Sequence, residues 1–334
     1  MKITIRAKLI DVAEEIDKTL SNMMLVFCTA VRFSFKRLLE GKDIKELEKD
    51  VAIKFNLNIR QSKDAVEEAR QVIASQKELV KLNYKNYTAK VNSIELDLKK
   101  PYLTDKKRKA LLSKLDKRKR KQSYYKNFID TDTIPSVVFG TKELFLRRCK
   151  GLITKEEWQA ARNNRIYSRG DKTKSGNPNL RVIVNDSGIF LEISTLEKTD
   201  TNRAIKVRTP LYLPQKVSQK TGKINGRDYR TMMLDYLRTG EAYQVELIKK
   251  DDEYHCHITI DEAKIRDYPL QYTGHTGLIG IDTNPDGFAL TAISRDGNYL
   301  KRAYLFQPEL KDARSDRREN LCGELAKQAV EFAK

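Results

Sequence analysis

Three groups of residues have types and spacings that could do chemistry. Asp282 closes the run Leu278-Ile279-Gly280-Ile281, where a strand buried on both faces would take another aliphatic. A carboxylate there must be solvated, paired or metal-bound, because burying a bare charge is costly. In His255-Cys256-His257, period two puts both imidazoles on one face of a strand, a possible ligand pair. Zinc needs further ligands and none is marked nearby, so the favoured reading is an imidazole face at the surface or at an RNA contact. The third group is KKRKALLSKLDKRKRKQSYYK from Lys106 to Lys126; residues 101–130 hold 11 basic and 3 acidic side chains. Lys106, Lys107, Arg108, Arg118, Lys119, Arg120 and Lys121 suit phosphates, and Tyr124, Tyr125 and Phe128 suit stacking on bases. A solvated helix face is the bland alternative for such a run. Arg147 and Arg148 are added as basic contacts from a following short helix.

The whole composition points the same way. In 334 residues, 65 Lys and Arg stand against 46 Asp and Glu, a net charge of +19, so the expected partner is a polyanion. The longest apolar run, Met23 to Val31, is much shorter than the roughly 20 residues that span a bilayer. Cys28, Cys149, Cys256 and Cys322 lie far apart without a C-x-x-C pair, and no cleavable signal opens the chain. These features predict a reduced, cytoplasmic protein that binds nucleic acid and no membrane. Neither a G-x-x-x-x-G-K-[ST] phosphate loop nor a G-x-S-x-G elbow occurs.

The elements that must position these groups follow from periodicity. Ile3 and Ile5 alternate with polar residues in an opening strand. Ile16, Leu20, Met24, Phe27, Val31, Phe35 and Leu38 form one helical stripe, closed by Gly41. From Ile44 to about Ala110 the pattern stays helical. Thr133 to Arg148 reads as an extended entry, a glycine break and a short amphipathic helix. Ser175-Gly176-Asn177-Pro178 is expected in a polar loop with Arg165, Tyr167, Arg169, Lys172 and Lys174, either touching phosphates or simply a mobile surface loop. Period two then marks strands at 180–184, 188–193, 204–207, 243–249 and 254–260, with a helix at 227–238. From Gly277 to Phe306, three apolar runs are separated by the turns Asn284-Pro285-Asp286-Gly287 and Arg295-Asp296-Gly297-Asn298.

With Asp282 on a strand, two hairpins and then a helix from about Asp312, this end has the opening order of a ribonuclease H-like domain. The segment GIDTNPDGFALTAISRDGN resembles the first RuvC motif of the TnpB-like (OrfB) transposon proteins, which are similar to compact type V CRISPR effectors. PSVVFGTKELF at Pro135 to Phe145, and AYQVELIKKDDEYHCHITID before the RuvC start, look like the family segments in those places. The resemblance implies an α+β multidomain chain: a first wedge strand (1–10), a helical recognition lobe (11–135), a small antiparallel wedge β-barrel with helical insertions (136–272) and the first three strands and helix of a RuvC-like domain (273–334). It also implies an RNA-guided DNA endonuclease with a guide RNA and target double-stranded DNA as partners. Asp282 matches the first catalytic carboxylate, which in that family helps to hold two Mg²⁺ ions for in-line phosphodiester hydrolysis.

The family's later Glu, its final Asp and its zinc ribbon have no counterpart here. Glu324 and Glu331 lie in a helical pattern and fill neither role. The sequence therefore predicts a C-terminally truncated chain that does not cut DNA as it stands, with an exposed apolar face on the partial meander. A nuclease-dead RNA-guided DNA-binding repressor is the alternative. An actin-like or sugar-kinase ATPase also opens on GIDxG, but Asn284-Pro285-Asp286 offers phosphates a proline without N–H and an added negative charge.

Overall fold

The computed structural model describes residues 2–201, 203–215, 222, 228–265, 277–294 and 298–333. The chain is α+β and divides into two compact units, Met1–Arg266 and Asp267–Lys334.

The first unit opens with β1 (Lys2–Leu9), whose Ile5, Ala7 and Leu9 turn inward. Four helices follow: α1 (Glu14–Leu39), α2 (Ile44–Lys54), α3 (Ile59–Leu98) and α4 (Asp105–Asp130). Buried Leu20, Met24, Phe27 and Val31 give α1 the expected stripe, and Gly41 leaves it at φ +81°, a conformation that suits glycine. The helical pattern expected from Ile44 to about Ala110 is present, divided by two breaks among α2, α3 and α4. Asn56 takes a left-handed φ of 50°, and Asn58 caps α3, accepting from Arg60 N and Gln61 N at 3.0 and 2.9 Å. The second break is the Pro101 turn.

Two short helices, α5 (Lys142–Cys149) and α6 (Lys155–Arg162), lead into β2 (Arg165–Ser168). Then come β3 (Leu180–Asn185), β4 (Gly188–Lys198), β5 (Ala204–Tyr212), α7 (Tyr229–Arg238), β6 (Gln244–Lys250) and β7 (Glu253–Asp261). Of the helix expected at 227–238, Arg227 lies outside the described residues. The strands form a curled antiparallel half-barrel in the order β2-β6-β7-β1-β5-β4-β3. All five strands expected in this region are present. β2 is an addition: Arg165 and Tyr167 belong to an edge strand pairing with β6, with Ile166 and Ser168 buried behind them.

The loop after β2 is also more ordered than its composition suggests. Asn177 is completely buried. Its Oδ1 accepts from Ser168 Oγ, Asn179 N and Leu180 N at 3.0, 3.1 and 2.9 Å, and its Nδ2 donates to the Ser168 and Tyr243 carbonyls. Tyr243 Oη accepts from Val182 N at 2.8 Å, and burial pushes that phenol up to about 12. Gly170 permits this close approach, since a Cβ there would lie 2.5 Å from the Tyr243 N and O atoms.

Ion pairs fix α3 to the sheet. Arg169 Nε meets buried Asp64 at 2.7 Å, and Arg165 pairs with Glu68, also buried. Burial raises the Glu68 carboxyl above its ordinary range, with Arg165 opposing the shift. Replacing Arg165 with Met leaves that carboxylate without its cation. The expected cost at pH 8 is about 2–3 kcal/mol, discounted from the value for a fully enclosed pair because the Arg165 side chain is 40% exposed. A carboxyl with a raised folded-state pKa loses stability as pH rises towards that pKa. The deficit should therefore shrink as the pH is lowered and Glu68 takes up a proton. Denaturant melts at several pH values measure it; a pH-independent deficit would contradict the assignment.

The second unit is a meander of β8 (Gly277–Asn284), β9 (Gly287–Ser294) and β10 (Tyr299–Phe306) in the order β10-β9-β8, followed by α8 (Ser315–Ala333). Asn284 pairs with Gly287, so Pro285-Asp286 is the first expected turn; of the second, Arg295 to Gly297 lie outside the described residues. Leu310, Leu321 and Leu325 form its core with Phe288 and Leu305. α8 covers β9 and β10, leaving Leu278 and Ile281 of edge strand β8 half-exposed. Tyr299, Tyr304 and Phe306 of β10 are exposed as well.

Candidate nucleic-acid interface

α3 and α4 make an antiparallel helical hairpin. Val80, Tyr84, Tyr87, Val91, Ile94 and Leu98 recur on α3 at alternating steps of four and three, and Leu111, Leu115, Arg118, Gln122 and Tyr125 repeat that spacing on α4. These are the two seams of a coiled-coil-like contact. Lys77 meets Asp132 at its base at 2.7 Å, Gln122 Nε2 donates to Thr88 Oγ1 at 2.9 Å, and Lys119 meets Glu95 at 2.7 Å. No α4 residue is buried. With 26 residues at about 1.5 Å each, α4 is a ridge of about 39 Å, wet over its outer face.

The hairpin separates the predicted basic residues into two sets. Lys106, Lys107 and Arg108 are exposed, as is Lys109 beside them, and among the described residues none of the four has an acidic partner. They follow a single acid, Asp105, at the start of α4, the positive end of the helix dipole, where an exposed cation costs about 0.3–1 kcal/mol. A bound polyanion would reverse that penalty. The second set is already engaged. Lys119 is held by Glu95, Arg120 by Asp116 at 2.8 Å, and Arg118 lies 5.8 Å from the Tyr87 ring centroid. Lys121 lies over Tyr124.

The predicted stacking rings are occupied too. Tyr125 stacks on Tyr87 with centroids 5.6 Å apart, and Tyr124 packs edge-on against Tyr125 and Phe128. Their first role is therefore to hold the hairpin together. Arg147 and Arg148 sit on α5, which packs on α6 through Phe145 and Trp158 and is not part of the hairpin.

A second polar surface crosses the sheet. Register aligns Tyr167, Glu246, His257 and Arg6 across four strands, beside a cleft of about 680 Å³. His255 and His257 do share a face, and each meets a glutamate: Glu253 at 3.6 Å and Glu246 at 3.8 Å. Among the described residues no group of three or more His, Cys, Asp or Glu side chains could hold a metal ion.

In the second unit Asp282 is exposed on edge strand β8, so of the three states open to this carboxylate it is the solvated one that is observed. It pairs across the sheet with Ala289, which pairs in turn with Tyr304. Tyr304 donates to Asp286 Oδ1 at 2.5 Å, and that bond, with burial and the nearby carboxylates adding to it, raises the Tyr304 phenol. One exposed carboxylate does not make a two-metal centre.

Comparison with protein families places the first unit. A family model for the SSO2105 N-terminal domain matches residues 2–274. The chain belongs to that family. The SSO2105 N-terminal match takes in β1, the hairpin and the whole half-barrel, and it stops before β8. No curated protein matches the chain. No helix among the described residues is long and apolar enough to cross a membrane.

Proposed function

We propose that this member of the SSO2105 N-terminal family binds nucleic acid through the outer face of α4, as a TnpB-like RNA-guided DNA-binding protein. The observation that carries the binding is the exposed cation cluster Lys106 to Lys109, without an acidic partner among the described residues, on a helix that packs on α3. Such a surface releases counterions from a phosphate backbone whatever the sequence.

The guided reading rests on the resemblance of the segment around Asp282 and on the order of elements. β1 leaves the sheet, the helical lobe intervenes, and the returning chain pairs β5 and β7 on either side of β1. A meander and helix follow. In this reading the partners are a guide RNA and a target DNA duplex. Mg²⁺ would bind Asp282 only together with further carboxylates, and it would then supply the nucleophile and stabilise the leaving oxygen. Asp282 is exposed, and a binding-only repressor is the alternative to cleavage in this reading.

The test is to purify the protein from its own host and sequence what comes with it. A discrete RNA that directs the protein to complementary DNA is expected. Heterogeneous RNA would reduce the reading to unguided binding, and no nucleic acid at all would overturn it. Mg²⁺-dependent cleavage by the RNA-loaded chain would replace the repressor reading by the nuclease one.

A further inference from the structure

We propose that Tyr102, at the turn of the α3–α4 hairpin, stacks on an unpaired base of a single-stranded nucleic acid whose backbone lies on the flanking cations. This deepens the nucleic-acid reading of α4 and rests on it. Tyr102 is 96% exposed, more than any other large hydrophobic side chain among the described residues. It touches no other aromatic ring among the described residues, whereas Tyr87, Tyr124 and Tyr125 are engaged with one another. The turn reads Lys99-Lys100-Pro101-Tyr102-Leu103-Thr104, with Lys106, Lys107, Arg108 and Lys109 following. Lys100 is held by Asp97 at 2.6 Å; among the described residues Lys99 and the later four have no acidic partner.

A bare ring set among unpaired cations matches two needs of single-strand binding, a π-face for a base and positive charge for the phosphates beside it. Paired bases hide their faces except at duplex ends, so a stacking tyrosine distinguishes single strands from duplexes. A membrane is a poor match. Interfacial anchoring takes a broad apolar face, and the start of α4, Asp105 to Lys109, presents only charged side chains.

The experiment compares wild type, Tyr102→Ala and Tyr102→Phe for binding a fluorescein-labelled twelve-nucleotide oligo(A) RNA and a blunt duplex of the same length at 0.15 M salt (about one Debye length of 8 Å). A matching RNA with one 2-aminopurine reports stacking. Tyr102→Ala should weaken single-strand binding by about 5- to 150-fold, the range for one base stack, and abolish 2-aminopurine quenching. Its salt slope and duplex affinity should stay as in wild type, and Tyr102→Phe should retain both affinity and quenching. An unchanged single-strand affinity in Tyr102→Ala would overturn the assignment while leaving the α4 interface standing. Equal losses on the duplex, or Tyr102-dependent binding to phosphatidylserine vesicles without RNA binding, would overturn it as well. Failure of wild type to bind any oligonucleotide would bring down both readings. Because Tyr102 is solvent-exposed, all three proteins should melt together, which serves as the folding control.

Discussion

Asn177→Ala should be among the most damaging single substitutions in the protein, lowering stability by about 3–5 kcal/mol. The side chain is fully buried and makes five hydrogen bonds to β2, to the start of β3 and to the strand entering β6. Alanine leaves two amide N–H groups, two carbonyls and a hydroxyl without that partner, and each such group costs roughly 1–3 kcal/mol when no replacement is found. A water entering the vacated space would recover part of the loss, so the sum stays below the simple total. At about 2–4 °C per kcal/mol for a unit of this size, the melting temperature should fall by about 10 °C. Asn177→Asp retains the acceptor but loses the amide donor to the Ser168 and Tyr243 carbonyls, and should also destabilise. A loss below about 1 kcal/mol for the alanine variant would show that the loop does not depend on this hub.

Asn177 also marks where sequence reading stops. Ser175-Gly176-Asn177-Pro178 has the composition of a surface turn, and nothing local distinguishes a buried amide from a solvated one. The difference lies in Ser168 and Tyr243, which arrive from elsewhere in the chain. β2 escaped notice for a related reason. It is four residues long, and its alternation of Arg165 and Tyr167 with Ile166 and Ser168 is too brief to stand out from a polar loop.

Longer patterns were legible. The α1 stripe and the alternation of Tyr254, Cys256, Ile258 and Ile260 each repeat often enough to specify a face; the four strand residues are buried, as are Leu20, Met24, Phe27 and Val31 of the stripe, while Ile16, Phe35 and Leu38 towards its ends are half-buried. At Asp282 the apolar run suggested burial on both faces, but β8 is an edge that α8 does not cover. On α4 the basic run was plain, while its division was not. Glu95, which holds Lys119, comes from α3, so only the hairpin register shows which cations remain available. Tyr102 was hidden by a similar limit, since the helical pattern was carried straight through Pro101 to Ala110.

The second large effect follows from that division. Changing Lys106, Lys107, Arg108 and Lys109 together to Gln removes four exposed cations that have no acidic partner among the described residues, and it alters none of the seam residues from Leu111 to Tyr125. If each meets one phosphate, nucleic-acid affinity at 0.15 M salt should drop by about 200- to 1,000-fold. Thermal stability should hold or rise slightly, since the positive end of α4 loses its cations. The corresponding variant of Arg118, Lys119, Arg120 and Lys121 should lose less affinity, because Glu95, Asp116 and Tyr87 already engage three of those side chains. It should also melt earlier, having lost the Lys119–Glu95 contact between the helices.

The most direct measurement is the slope of log K against log salt for RNA binding by wild type and these two variants. The account predicts that neutralising residues 106–109 flattens the slope by about 3 units, at 0.7 to 0.9 per phosphate contact, and that neutralising residues 118–121 flattens it by less. An unchanged slope in the 106–109 variant would mean that the outer face of α4 is a solvated helix surface and not the nucleic-acid interface.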